Sequence, residues 1–344
     1  MAPTVAKNIL IWLPSPLGDA ILSTPALAAI RSHFADARIT FLASPVIKAF
    51  LEPTSSCDEW IENKESFLSL VRRLQSRRFD TAILLKNSFG SALTVFLAGI
   101  KRRIGYARDT RNILLTDRLK PKRQNGNFVP VSVVDYYLNL AQRVGAESRD
   151  KTLSIGVTDR DREIFSITFP EARKSSGPLI ILVPGGAFGP SKLWPPQRFG
   201  ELADQLCKHY KACVVLSVAP TPLEIAISSR IQENATWPLL SLANRPLKPG
   251  PLKALFERAD LVIANDTGPR HIAAALNRKI ITLFGPNNPA WTQTDYPHEI
   301  QILGQADCAP CDKPRCRPKE HTCMLSISVS SVFEAVEKML GTTK

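Results

Sequence analysis

Two distant segments carry the residues most able to do chemistry. The first is the turn Pro14-Ser-Pro-Leu-Gly-Asp19, in which Asp19 is the sole titratable side chain. A carboxylate at such a turn can take a proton from a bound hydroxyl or simply cap the helix that follows from Ala20. The second is Asn265-Asp-Thr-Gly-Pro-Arg-His271, which offers a carboxylate, a hydroxyl and backbone N–H groups at another helix start. Asp266 could likewise be only a cap, and His271 only a packed helical residue. A third segment, Pro184-Gly-Gly-Ala-Phe-Gly-Pro190, leads into Ser191 and Lys192. Its glycines let a backbone approach a ligand, and a lysine beyond them can meet phosphate charge. The loop matches neither the Walker pattern nor a complete Gly-x-Gly-x-x-Gly fingerprint, which argues against a P-loop kinase and a standard dehydrogenase.

Each segment must be held by an apolar strand and released into a helix. Ile9–Leu13 precedes the first, Leu179–Val183 the Gly-rich loop, and Asp260–Ala264 the last. In open α/β sheets ligands sit where strands hand over to helices, because free N–H groups and the helix dipole point there. The first half alternates strands (Ile9–Leu13, Arg38–Ala43, Thr81–Leu85, Arg103–Tyr106) with helices (Ala20–His33, Phe67–Arg77, Ser91–Ala98, Val133–Val144). The stretch from Glu147 to Gly177 is polar and charged and reads as a linker. Strands Leu179–Val183, Cys213–Ser217, Leu261–Ala264 and Ile280–Phe284 then alternate with helices Gln197–His209, Leu223–Gln232, Pro251–Arg258 and Arg270–Leu276, and Val329–Leu340 closes the chain as a helix. The pattern predicts α/β architecture with two Rossmann-like parallel-sheet domains facing a central cleft, over residues 1–165 and 175–344, the last helix able to pack back toward the first domain.

Composition fits this. The 344 residues are 44% hydrophobic and 22% charged, the profile of a globular protein of two domains. No apolar run approaches the roughly 20 residues that span a bilayer. The opening Met1–Lys7 lacks a signal-peptide pattern, so a cytoplasmic location is expected. Net charge is +13, and between Lys101 and Arg123 nine Lys/Arg face two Asp. Such a patch suits a polyanionic partner, or it is a solvated surface loop. No nucleic-acid motif accompanies it.

Four blocks together resemble glycosyltransferase family nine, the ADP-heptose:lipopolysaccharide heptosyltransferases: Pro14–Asp19 with Ile21–Leu27, Pro184–Pro195, Asp260–Pro286 and Cys308–Met324. Within that family, Leu85–Ala92 through Ile100, Arg103–Leu115 and Gly186–Trp194 are most similar to the branch that adds the second inner-core heptose. The resemblance implies the GT-B fold and an inverting, single-displacement transfer of heptose from ADP-heptose to a heptosyl-Kdo2-lipid A acceptor. It implies Asp19 as general base and Lys192 as the charge that stabilises departing ADP. Gly186, Ser191, Glu224, Asp266, Thr267, Gly268 and His271 would bind the donor. Pro220-Thr-Pro222, ahead of Glu224, departs from the glycine-containing pattern expected there. Asn87, Ser88, Arg108 and Arg111 would bind the anionic, phosphorylated acceptor, with peripheral contact at the inner membrane. No metal or cofactor is expected. Other readings are a first or third heptosyltransferase, another sugar-nucleotide transferase, or a non-catalytic nucleotide-sugar binding protein.

Four cysteines, Cys308, Cys311, Cys316 and Cys323, cluster near His321. Their spacing allows structural zinc held by four thiolates or by three with His321; a reducing compartment disfavours disulfides, although they could form on purification, and metal-free thiols or adventitious disulfides are the preferred expectation.

Overall fold

The computed structural model describes residues 6–124, 126–317 and 320–342. Met1–Val5 and Pro318, which figured in the sequence reading, lie outside the described residues. The chain divides into two units: 1–156 with 290–294, and 157–289 with 295–344.

The first unit is a six-stranded sheet of β1 (Asn8–Trp12), β2 (Arg38–Ala43), β3 (Glu59–Glu62), β4 (Thr81–Leu84), β5 (Arg102–Tyr106) and β6 (Asp117–Leu119). All neighbours are parallel, in the order β3-β2-β1-β4-β5-β6. A small antiparallel hairpin follows, β7 (Arg123–Gln124) with β8 (Asn127–Phe128). The helices are α1 (Leu17–Leu22), α2 (Thr24–His33), α3 (Pro45–Leu51), α4 (Phe67–Arg77), α5 (Phe89–Leu97) and α6 (Val133–Arg143). Helices cover the sheet, so Ile9, Leu10 and Ile11 of β1 are all fully buried and the strand reads as an unbroken apolar run.

The second unit repeats the plan. Its strands are β9 (Leu179–Val183), β10 (Cys213–Leu216), β11 (Leu240–Ser241), β12 (Leu261–Asn265), β13 (Lys279–Phe284) and β14 (Glu299–Leu303). They pair in parallel in the order β11-β10-β9-β12-β13-β14. Its helices are α7 (Asp159–Thr168), α8 (Pro170–Lys174), α9 (Pro196–Tyr210), α10 (Pro222–Asn234), α11 (Pro249–Arg258), α12 (Gly268–Ala275), α13 (Thr322–Leu325) and α14 (Val329–Leu340). The apolar stripe of α14, Val329, Val332, Ala335 and Val336, is buried in this unit's own core beside Leu202 and Leu206 of α9.

Two differences from the sequence reading have clear causes. The expected helix Ala20–His33 is two helices, the first starting earlier at Leu17, and the break falls at Ser23 because Pro25 has no N–H to give the Ile21 carbonyl. The hydroxyls of Ser23 and Thr24 donate to the carbonyls of Ala20 and Ile21 at the break. The charged stretch taken as a linker contains α7 and α8, which belong to the second unit. Thr158 and Asp161 form a capping box, Arg162 grips Glu257 of α11 through two bonds of 2.7 and 2.8 Å, and Phe165 and Phe169 are buried. The charges are the outer face of a helix, which a composition reading takes for solvent-exposed linker.

In both units strand order reverses beside the first strand: the chain runs β1-β2-β3 one way and then β4-β5-β6 the other. The same reversal separates β9 from β12. The carboxyl ends of strands flanking such a switch open a crevice. Asp19 follows β1 and Asn87 follows β4; Gly186 follows β9 and Asp266 follows β12.

Candidate active site

In the first unit the crevice is a cavity of about 810 Å³ with Asp19, Asn87, Arg108, Tyr136 and Tyr137 in its wall. Among the described residues four cationic side chains line it, Arg108, Lys120, Lys122 and Arg143, against the one carboxylate of Asp19. Asp19 is half-buried on α1. Burial raises its carboxyl above the usual aspartate range, and the Tyr137 hydroxyl, donating to it, partly opposes that rise. Tyr137 is itself buried on α6, and burial beside the Asp19 charge pushes its phenol well up, which keeps it a donor. A carboxylate held by one donor in a poorly solvated wall is a stronger base than one in water.

The basic tract 101–123 separates into distinct jobs. Arg103 donates Nε to Leu114 O and Nη1 to Ile100 O, both at 2.6 Å, and Arg102 pairs with Asp117 at 3.3 Å. Arg111 is wholly buried: Nε donates to Tyr106 O at 2.8 Å, Nη1 to Lys86 O at 2.6 Å and Nη2 to Asn87 Oδ1 at 2.6 Å. Its guanidinium is turned inward, so the direct acceptor contact expected of it is not what this geometry offers. Arg108 does reach the cavity wall. It lies 4.5 Å from the ring centre of Phe128 on the hairpin, and its buried Nε has no partner among the described residues. Arg123 stacks on the same ring at 4.4 Å. Ser88 caps α5, accepting from Ser91 N at 3.1 Å.

In the second unit Gly186 sits between the residues expected to meet a diphosphate. A Cβ there would come within 3.0 Å of Lys192 Cε and 3.4 Å of Thr267 Oγ1. Lys192 is buried, which lowers its pKa, and its ammonium donates to Asp266 O while lying 5.1 Å from the Phe188 ring centre. Thr267 and Gly268 open α12, whose first N–H groups and dipole favour an anion. Glu224 presses on Gly185, where any Cβ would lie 2.3 Å from its carboxylate, and its Oε2 accepts from Ala219 N at 2.7 Å. The glycine that lets this carboxylate reach the Gly-rich loop is thus Gly185, which lies in the loop itself and not in the Pro220–Pro222 segment.

Asp266 is buried and fully engaged: Oδ1 accepts from Arg270 at 3.1 Å and Oδ2 from Asn287 at 2.8 Å. Burial works against its charge, yet the Arg270 and Lys192 cations hold the carboxyl below its usual range. Arg270 in turn grips Glu299 with bonds of 2.5 and 2.8 Å. His271 is buried, and that burial, with the Arg270 charge, pushes its imidazole down to about 3. It is neutral at physiological pH and can offer a diphosphate an N–H but not a charge. Ser191 points elsewhere, donating Oγ to Lys313 O at 2.6 Å in the cysteine-rich loop.

Sequence reasoning missed Tyr137, Arg270, Glu299 and Asn287. Asn265 and Asn287 each keep a buried amide oxygen without a partner among the described residues, having given their Nδ2 to Pro184 O and Asp266. Buried acceptors of this kind suit a ligand's hydroxyls. The seven cysteines are free thiols, and among the described residues no group of three or more His, Cys, Asp or Glu could hold a metal ion.

The family model of glycosyltransferase family 9 (heptosyltransferase) matches residues 67–321. Lipooligosaccharide heptosyltransferase 2 of Campylobacter jejuni is 25% identical over 343 residues, covering 96% of this chain and 99% of that protein. Lipopolysaccharide heptosyltransferase 2 of Escherichia coli K12 is 28% identical over 303 residues, 83% of this chain and 84% of that one. The solved ADP-heptose LPS heptosyltransferase II of Escherichia coli superposes with a TM-score of 0.78 at 26% identity, over 97% of this chain and 98% of that one. A family 9 glycosyltransferase of Veillonella parvula has the same fold, with a TM-score of 0.83 at 22% identity over 98% and 99% of the two chains. The two Rossmann-like units are those of the GT-B type.

Proposed function

The chain belongs to glycosyltransferase family 9, the heptosyltransferases, and from that premise we propose that it moves heptose from ADP-heptose to the inner core of lipopolysaccharide, onto a heptosyl-Kdo2-lipid A acceptor. The observation that carries this reading is Asp19, a half-buried carboxylate with a raised pKa in the wall of a cavity lined by four cations. A base that titrates above ordinary aspartate suits proton abstraction from a sugar hydroxyl, and the cations suit an acceptor bearing phosphate and Kdo carboxylates.

The reaction is a single displacement with inversion. Asp19 takes the proton of the acceptor hydroxyl as that oxygen forms a bond to the anomeric carbon of heptose. The bond from that carbon to the diphosphate oxygen breaks, and its electron pair leaves with ADP. Lys192 and the N–H groups at the start of α12 meet the charge that gathers on the diphosphate. Asn87 and Arg108 hold the acceptor; Gly186, Thr267, Gly268 and His271 hold the diphosphate, with Ser191 bracing the loop. Glu224 takes the ribose hydroxyls. Asp266 orients Lys192 and Asn287 around the heptose. These groups need no metal or organic cofactor for the transfer.

The acceptor is lipid-anchored and is made on the cytoplasmic side of the inner membrane, so the protein works there as a peripheral protein. Among the described residues no helix is long and apolar enough to cross a membrane. Incubation with ADP-heptose and a series of truncated core acceptors, with products read by mass, tests the reading. One heptose added to the heptosyl-Kdo2 acceptor supports it. Addition only to the heptose-free Kdo2 acceptor would make this a first heptosyltransferase, and no addition to any member would leave a binding protein.

A further inference from the structure

Helix α5 is apolar on both faces. Ala92 and Val95 are buried in the core of the first unit, yet Phe89, Phe96 and Leu97 on the opposite side are exposed, the last two to 46% and 43%. Spacings of seven and eight residues put these three on one stripe of the helix. Ile113, in the 3₁₀ turn Arg111–Leu114 that packs against α5, is 76% exposed. Aqueous surfaces carry isolated apolar side chains freely, but a contiguous cluster rimmed by charge marks a contact surface. The rim here is basic. Lys101 follows the helix and is exposed, and the Arg103 guanidinium lies 5.3 Å from the Phe96 ring centre. The stripe also starts beside the acceptor cavity, since Asn87 lines that cavity and Phe89 opens α5 two residues later.

We propose that the exposed stripe of α5 with Ile113, rimmed by Lys101 and Arg103, is the surface by which the protein docks on an anionic lipid bilayer. Apolar side chains on such a face enter the headgroup boundary while neighbouring cations are drawn to anionic lipid. Docking there brings the acceptor cavity to the bilayer, where a lipid-anchored glycan presents its sugars. The assignment rests on the reading of the acceptor as a glycolipid, but the test below measures the surface independently of that reading.

The test is co-sedimentation of the whole protein with phosphatidylcholine vesicles, with and without phosphatidylglycerol, beside transfer to a delipidated, water-soluble core acceptor. The wild type should bind vesicles containing phosphatidylglycerol, less well as salt rises. The triple variant Phe96→Ser, Leu97→Ser, Ile113→Ser should bind them roughly tenfold or more weakly while keeping its rate on the soluble acceptor. Lys101→Glu should weaken binding chiefly at low salt. Wild-type protein that ignores phosphatidylglycerol vesicles overturns the proposal, as does a triple variant that binds like wild type. A wild-type dimer that the triple substitution converts to monomer, with vesicle binding unchanged, overturns it too and makes the face a self-association surface. Absence of transfer by the wild type, with vesicle binding as described, would sink the enzymatic reading and leave the surface standing.

Discussion

Arg111 Nη2 donates to Asn87 Oδ1 at 2.6 Å from a side chain with no exposed surface. The Tyr136 hydroxyl donates to the same oxygen at 3.3 Å. With its oxygen taken from two sides, the Asn87 amide is fixed with Nδ2 as its remaining polar group, a donor in the cavity wall that holds Asp19. The most basic segment of the chain thus contributes in two ways, through Arg108 at the wall and through Arg111 behind it.

Separate substitutions should split those roles. Arg108→Gln should raise the acceptor KM several-fold and flatten its dependence on salt, leaving the donor KM and the melting temperature near wild type. Arg111→Gln should instead lower the melting temperature, because it strips donors from the buried Tyr106 carbonyl and the part-buried Lys86 carbonyl, a loss of about 1–3 kcal/mol. Kinetics and thermal melts on the two proteins decide it. An Arg111 variant of wild-type stability with a salt-insensitive acceptor KM would return Arg111 to direct contact.

Removing the base should leave binding intact. Asp19→Asn keeps the shape and the contact to Tyr137, so ADP affinity by calorimetry should be unchanged while turnover falls by roughly 10²–10⁴. Retention of a third or more of wild-type turnover would leave Asp19 as a first-turn residue of α1 with no role as base.

Tyr137 sets when Asp19 can act. Burial raises the Asp19 carboxyl and the Tyr137 hydrogen bond lowers it. The base works ionised, so kcat/KM should fall as pH drops through that pKa, at a pH above the ordinary aspartate value. Tyr137→Phe removes the lowering contribution and should move this acid limb to higher pH. A limb that stays in place, or moves down, contradicts the hydrogen bond. A variant slowed equally at every pH would show that Tyr137 serves packing alone.

Much of this was legible because it is local. The ranges of β2, β9, α4 and α14 follow from apolar runs or amphipathic period. What escaped depends on partners far along the chain. Tyr137 is an ordinary aromatic in an amphipathic helix until α6 brings it to Asp19. Nothing local to Arg270 shows its partner, Glu299, which lies 29 residues on and grips it. Arg111 stands in a run of cations whose composition argues for the surface, and only folding shows that carbonyls surround it. The polar stretch holding α7 concealed a helix because its single buried stripe is narrow.

The cysteine cluster should be silent in the chemistry. Burial raises the Cys323 thiol, and among the described residues no group of three or more His, Cys, Asp or Glu is placed to hold a metal ion. Protein purified in reductant without chelator should carry well under one zinc per chain, and chelator should leave its melting temperature and turnover unchanged. Roughly one zinc per chain, with lower stability on its removal, would overturn this and make the loop a structural metal site.

Lys192 should be the least replaceable cation in the second unit. It is buried, donates to Asp266 O, and its Cε would stand 3.0 Å from any Cβ at Gly186. Lys192→Met keeps the stem but removes the charge that meets departing ADP, so turnover should fall by roughly 10²–10³ with a smaller change in donor KM. Lys192→Arg keeps a charge but brings a planar fork into a space shaped for an ammonium, so it should recover little of the loss. Gly186→Ala should mimic part of the effect by pushing on Lys192 and Thr267. Single-turnover rates of the three variants, read beside their ADP affinities, check the argument. A Lys192→Met enzyme slowed less than threefold would mean that the amides of α12 carry the leaving group without it.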